Sequence, residues 1–265
     1  MAIDYLLAID CEPQRTLGAQ RLVELDRTRI QCRAVLEQLR VDGDEREPSE
    51  ITIQLATHHP GGVGDAPARG VTLADLVAET TPLEEHASEC ATCPAKLARA
   101  YGCHERIRYP IPERSEAWLM SRLPESLATT AGALLVRSMG ELGWDGAPTT
   151  KLRADGTTYF ESRVAYGVRW QSDADTIEIS SDQLFHMMFM VGALNPAHCL
   201  MLALFLGVIP HTTSLHDLKD DAGRKRVLAS VFVAPEPDPE IEQMAAFLRM
   251  LAVAARLDTT ILIDG

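Results

Sequence analysis

Three cysteines and two histidines crowd into Glu85-His86-Ala87-Ser88-Glu89-Cys90-Ala91-Thr92-Cys93-Pro94 and Tyr101-Gly102-Cys103-His104, the residues of this chain best suited to holding a metal ion. Two cysteines three positions apart can share one ion, because a tight turn between them aims both sulfurs inward. The N–H groups of that turn offset the thiolate charge. Gly102 ahead of Cys103 permits a similar turn on the other side. His86 precedes Cys90 by one helical turn, so its ring reaches the same ion if a helix runs through both. The set His86, Cys90, Cys93 and Cys103 makes a closed four-ligand site of the structural zinc kind. The fourth ligand stays open at this level, since His104, Cys11, His58 or His59 could stand in for His86. Three close cysteines with a distant fourth ligand also suit an iron–sulfur cluster, and the same thiols could be redox-active. Cysteines also occur as small apolar residues with no ion at all.

Other groups carry weaker signals. His211, His216, Asp217, Asp220 and Asp221 share one polar stretch and could supply the acid–base chemistry of a hydrolase or transferase. Such a run is more often a solvated loop leading into a short helix. Lys151-Leu152-Arg153-Ala154-Asp155-Gly156 resembles the lysine-x-aspartate-glycine motif of nucleotidyl-transferring ligases, but Arg153 occupies the nucleophile's position. A guanidinium stays protonated and cannot attack, so the segment reads as a β-turn. Met187, Met188, Met190 and Met201 with Phe185, Phe189 and Phe205 read as core, and His186 and His198 as hydrogen-bonded interior groups. Cys11 ends the first strand, where open α/β sheets place ligands. Asp10-Cys11-Glu12-Pro13 lacks the glycines of a phosphate loop, and neither a G-x-S-x-G elbow nor an HExxH helix is present.

The elements that must position these groups read as α/β. Tyr5 to Ile9 is a buried strand, residues 16 to 40 carry one apolar helical face, and Ile51 to Leu55 alternates as a second strand. That β-α-β opening favours a parallel pair with a helical crossover. Pro60 to Gly70 is a glycine-rich excursion, and Thr72 to Glu79 a short helix leading to the cysteines. Helices are expected over 113–123 and 125–142, divided by Pro124, and a strand over 157–170 after the Asp155-Gly156 turn. Ser180 with Gln183 is a capping-box pattern, and Asn195-Pro196 opens the next helix, which Gly207 stops. A strand at 227–234, a helix at 239–256 and a strand at 260–263 complete a second β-α-β unit. The expectation is a layered α/β fold, its sheet mixed or mostly parallel, with flanking helices and a Cys/His metal-binding insertion over 86–104. An N-terminal region, 1–123, and a C-terminal one, 124–265, are expected to pack as one compact unit.

Composition narrows the partners. A chain of 265 residues with 46% hydrophobic and 24% charged residues is long and apolar enough for a substantial core. Its formal net charge of −13 repels phosphate backbones and anionic lipid. The densest basic run, Arg224-Lys225-Arg226, is too short to reverse that. The apolar stretch from Leu184 to Ile209 is interrupted by His186, Asn195, Pro196 and His198, well short of the ~20 apolar residues that span a bilayer. No basic region precedes the apolar run at Tyr5, and the six cysteines are not spaced as a secreted disulfide framework. These features point to a soluble, cytoplasmic, metal-binding interaction or regulatory protein with a protein partner, and against nucleic acid and membranes. On this charge balance, binding to duplex DNA or RNA at moderate ionic strength should be undetectable by fluorescence anisotropy. A sub-micromolar affinity falling steeply with added salt would expose a basic face that the composition conceals.

Overall fold

The computed structural model describes residues 2–55, 69–95, 101, 103–171 and 176–264. The chain begins with β1 (Ala2–Leu7), α1 (Glu12–Leu17), α2 (Ala19–Val41), β2 (Thr52–Leu55), β3 (Arg69–Thr72), α3 (Leu73–Glu79), α4 (Thr81–Glu85) and α5 (Ala87–Ala91). It continues with β4 (His104–Arg108), α6 (Glu113–Ser121), α7 (Thr130–Leu142), α8 (Ala147–Ala154), β5 (Gly167–Gln171), β6 (Thr176–Ser180) and α9 (Ser181–Phe189). β7 (Ala193–Leu194), α10 (Pro196–Phe205), α11 (Leu215–Lys219), α12 (Asp221–Ala229), α13 (Pro239–Leu257) and β8 (Ile261–Asp264) complete it. Helix predominates, 55% against 15% strand. No helix among the described residues is long and apolar enough to cross a membrane.

Two compact units emerge, one formed by residues 1–9 with 102–265 and the other by residues 10–101. The sequence-based division at 123/124 does not coincide with them, falling between α6 and α7 inside the first unit.

The first unit holds a four-stranded sheet in the order β4-β1-β8-β7. Every pairing in it is antiparallel, with Ile3 opposite Ile107 on one edge of β1 and Tyr5 opposite Ile263 on the other. This corrects the expected mixed or mostly parallel sheet. β1 is buried from Ile3 through Leu7 on both faces, and burial on both faces with only Asp4 interrupting the apolar residues imitates a parallel strand. β2 belongs to the other unit and pairs antiparallel with β3, so the opening β-α-β is not a crossover pair. Two further expectations fail. Residues 157–164 are irregular, with a single isolated bridge from Phe160 to Ile111 and strand only from Gly167, and the expected strand at 227–234 begins as the end of α12. Asp220 explains the latter: its carboxylate accepts the Gly223 N–H at 2.7 Å and starts a helix through the basic run.

α13 organises the core of this unit, packing against α10, α6 and the strands β4 and β8. Its Phe247 meets Tyr5 edge-on, centroids 5.0 Å apart, and lies 4.7 Å from the Phe189 ring. The methionine- and phenylalanine-rich α9 and α10 are core, as their composition implies. Their starts follow the capping signals: Ser180 and Gln183 cap reciprocally, and Asn195 accepts the His198 N–H at 2.9 Å.

Beneath α9 lies a buried ionic knot. Arg153 of α8 grips Glu116 of α6 with two bonds of 3.1 and 2.7 Å, and its Nε donates to Asp182 of α9 at 2.9 Å. It also donates to the Ser162 carbonyl at 2.8 Å and lies 4.1 Å over the Phe160 ring. Ser181 donates to Glu116 at 2.8 Å, and Thr150 to Asp182 at 2.9 Å. Glu116 and Ser181 are fully buried, Arg153 and Asp182 nearly so. Gly146, at φ +83°, lets α8 begin against α9, since a Cβ there would sit 3.0 Å from the Gln183 nitrogen. Arg153 is therefore a helical keystone, not part of a β-turn; only Asp155 and Gly156, just past α8, turn the chain.

Arg153→Met leaves two carboxylates buried without a counter-charge and should lower unfolding stability by about 3–5 kcal/mol. Arg153→Lys should recover only part of that, because an ammonium cannot bond Glu116 with two parallel donors. Urea denaturation of the three proteins measures both; a loss below about 1 kcal/mol in the Met variant would contradict this role for the knot.

Candidate metal centre

The cysteine segment is positioned from α2 and α4 of the second unit. The core of that unit joins Cys32, Ile51, Leu73 and Leu76, with Val35, Leu36 and Leu39 of α2 packed on it. Thr72 starts α3 by accepting the Asp75 N–H at 3.1 Å, as a cap threonine should. Tyr101 anchors the far end: its hydroxyl donates to the Leu83 carbonyl of α4 at 2.5 Å, and Arg29 of α2 lies 4.6 Å over its ring.

His86 forms the joint between α4 and α5, and its carbonyl accepts the Cys90 N–H at 3.0 Å. His86 and Cys90 are therefore one helical turn apart, as their spacing implies. The Cys93 N–H then donates to the Cys90 carbonyl at 3.3 Å, closing the turn between the paired cysteines. Glu89 is a participant that the spacing argument misses. Its carboxylate is 2.9 Å from His86 Nδ1, three residues away on the same short helix. A carboxylate partner fixes the proton on Nδ1 and leaves the Nε2 lone pair for another group. The i, i+3 spacing of His86 and Glu89 is the signal that could have revealed it.

Burial first, then the neighbouring Cys93, Cys11, Glu89 and Asp26, pushes the Cys90 thiol up to about 11. These acidic neighbours oppose an isolated thiolate there, and a bound cation would relieve that opposition.

Cys103 and His104 lie in the other unit. The Cys103 carbonyl accepts the Leu7 N–H at 2.8 Å, and His104 is fully buried in β4 with Nε2 2.9 Å from Asp4. His104 is thus committed to a carboxylate in the sheet. His58 and His59 lie outside the described residues. Among the described residues, no three His, Cys, Asp or Glu side chains converge closely enough to enclose a metal ion. All six cysteines are free thiols.

The remaining candidates serve the fold in the places where bonds are seen. His211 Nε2 lies 3.1 Å from the Phe205 carbonyl, Asp220 caps α12, and Asp221 pairs with Arg224 on that helix. His216 and Asp217 sit in α11. His186 Nδ1 accepts the Gly146 N–H at 3.3 Å, as an interior histidine should. His198 departs from that expectation: its ring stacks on Trp144 at 5.0 Å, while Nε2 is buried with no hydrogen-bond partner among the described residues.

Comparison with protein-family models finds no match, and searches of curated proteins and of solved structures likewise return none.

Burial lowers the His198 pKa from 6.5 to about 4, so the native state favours the neutral ring. The stability this brings is complete above the unfolded pKa and is lost as pH falls from 6.5 towards 4. His198→Phe keeps a ring against Trp144 but cannot take up the proton. Between pH 7.5 and pH 4.5 the parent should therefore lose on the order of 2 kcal/mol more stability than the variant, after solvent screening. Identical acid sensitivity in parallel urea titrations would refute it.

Proposed function

We propose that this chain is a metal-binding interaction or regulatory protein whose zinc ion is held by His86, Cys90 and Cys93. Cys103 enters as the fourth ligand on sequence spacing alone. The bond between Glu89 and His86 Nδ1 carries this reading, because a carboxylate behind an imidazole is the usual support of a metal-ligating histidine. The paired cysteines supply two soft thiolates on one turn, a donor type that suits zinc. When bound, the ion supplies cross-linking, tying the short α5 to the turn that follows it. The residues around the ion hold position and fix a proton: Glu89, behind His86, keeps Nδ1 protonated, and the Cys93 N–H braces the turn. A closed set of four protein ligands leaves no open position for a substrate, which favours a protein partner over catalysis.

Metal analysis of anaerobically purified protein tests the reading, with about one zinc per chain expected for a single tetrahedral site. Cys90→Ala and Cys93→Ala should each lose most of that metal and lower the melting temperature by about 5 °C or more, since binding and local folding are coupled. Full metal retention with unchanged melting in both variants refutes the site. Iron in place of zinc, with a brown sample, would instead establish a cluster.

A further inference from the structure

Helices α7, α10 and α11 of the first unit border a cleft of about 420 Å³, within the roughly 300–1,000 Å³ usual for small-molecule sites. Leu134 of α7, Leu200, Met201 and Leu204 of α10, and Leu215 and Leu218 of α11 line it. A methionine among leucines suits a wall that adjusts to its occupant. Leu215 remains 48% exposed, so the packing of the chain itself does not consume this apolar surface. α11 is only five residues long, yet the fold fixes it firmly. Ser214 Oγ accepts the His216 N–H at 3.1 Å at its start. Gly223 of α12 lies so close to the Asp217 carbonyl that a Cβ there would stand 2.1 Å from the oxygen. Glycine permits that approach, and α12 thereby holds α11 as a wall.

That wall also carries charge. Besides its leucines, α11 gives the cleft His216 and Lys219, both exposed and therefore at its rim. The carboxylates next in sequence are committed elsewhere: Asp220 accepts the Gly223 N–H at 2.7 Å, and Asp221 pairs with Arg224. Asp217 does not line the cleft. Lys219 has no ion-pair partner among the described residues. An unpaired cation at the rim of an apolar cleft, in a chain of net charge −13, matches a ligand with one apolar end and one anionic end. We propose that this cleft binds a single-chain aliphatic carboxylate, its hydrocarbon against the leucines and Met201 and its carboxylate on the Lys219 ammonium. Burial of the hydrocarbon supplies affinity, and the ammonium sets the orientation. A partner helix fits less well, because helix-in-groove docking needs anchors at i, i+3, i+4 and i+7 along an extended groove. Here a single residue of α7 and short stretches of α10 and α11 form the whole lining. The site lies within residues 102–265 and is independent of the metal-site reading.

Isothermal titration calorimetry of the full-length protein with decanoate, decanol and decyltrimethylammonium, each below its micelle concentration, provides the test. Decanoate should bind at about one molecule per chain, and decanol on the order of tenfold more weakly, for want of a charge-assisted hydrogen bond. The cationic amphiphile should bind more weakly still. Lys219→Glu should weaken decanoate by about tenfold or more while changing decanol by less than about twofold. Leu215→Gln should weaken decanoate and decanol alike, since it removes apolar wall and leaves the charge in place. Both side chains are exposed, so neither substitution reaches the core, and unchanged far-ultraviolet circular dichroism and melting temperature check this. A parent that takes up no decanoate overturns the proposal. Equal affinity of the parent and Lys219→Glu for decanoate also overturns it, as does a preference for the cationic amphiphile.

Discussion

One guanidinium holds the larger unit in register. Arg153 of α8 joins α6 and α9 and also bonds the carbonyl of Ser162, so four pieces of chain share one buried cation. Apolar packing alone tolerates a helix sliding by part of a turn, because any side chain of similar volume fills the space. A buried charge does not: a small displacement would leave Glu116 or Asp182 without a donor. Burial raises the Glu116 pKa, against the pull of its bonds to Arg153 and Ser181. The knot therefore contributes specificity of arrangement more than net stability. It also seats α9, whose Phe189 carries the aromatic contact on to Phe247 of α13 and thence to Tyr5 in the sheet.

The same contrast separates what the sequence reveals from what it conceals. Thr72, the Ser180–Gln183 pair and Asn195 bond within three residues of themselves, so their roles are written locally and the helices begin where the residues imply. Strand partners are chosen across the whole chain, and nothing in Tyr5-Leu6-Leu7 distinguishes an antiparallel neighbour from a parallel one. Glu116, Arg153 and Asp182 look in sequence like the outer face of ordinary helices; only the fold shows them inside. At the metal segment, the helical turn from His86 to Cys90 is legible because it is local. The burial of His104 against Asp4 is not, because β4 gains its meaning from a strand a hundred residues earlier.

The segment between His86 and Cys93 illustrates how little regular structure a candidate site needs. α4 and α5 are each five residues long, too short to persist on propensity. Their order comes from what they touch: Leu83 is fully buried, its carbonyl is taken by Tyr101, and Cys90 is turned inward. Short helices pinned at one end leave the intervening side chains free to adjust by small rotations. The proposed metal site would require such an adjustment, since among the described residues no group encloses an ion beforehand.

The central strand has a consequence for how the chain reaches this state. β1 finds its partners far along the chain: Ala2 pairs with Arg108 and Asp4 with Asp264. The sheet therefore cannot nucleate from local pairs: β1, mostly apolar, stays unpaired until β4 and β8 have been made. Contacts so distant in sequence slow folding, since the entropy of closing the loop is lost before any pairing energy returns. Residues 10–101 are complete before β4 exists, and their compaction shortens the effective loop that β1 and β4 must close. A nascent chain stalled before residue 104 would present a sticky strand with no lawful partner, the state in which chaperone capture or aggregation competes with folding.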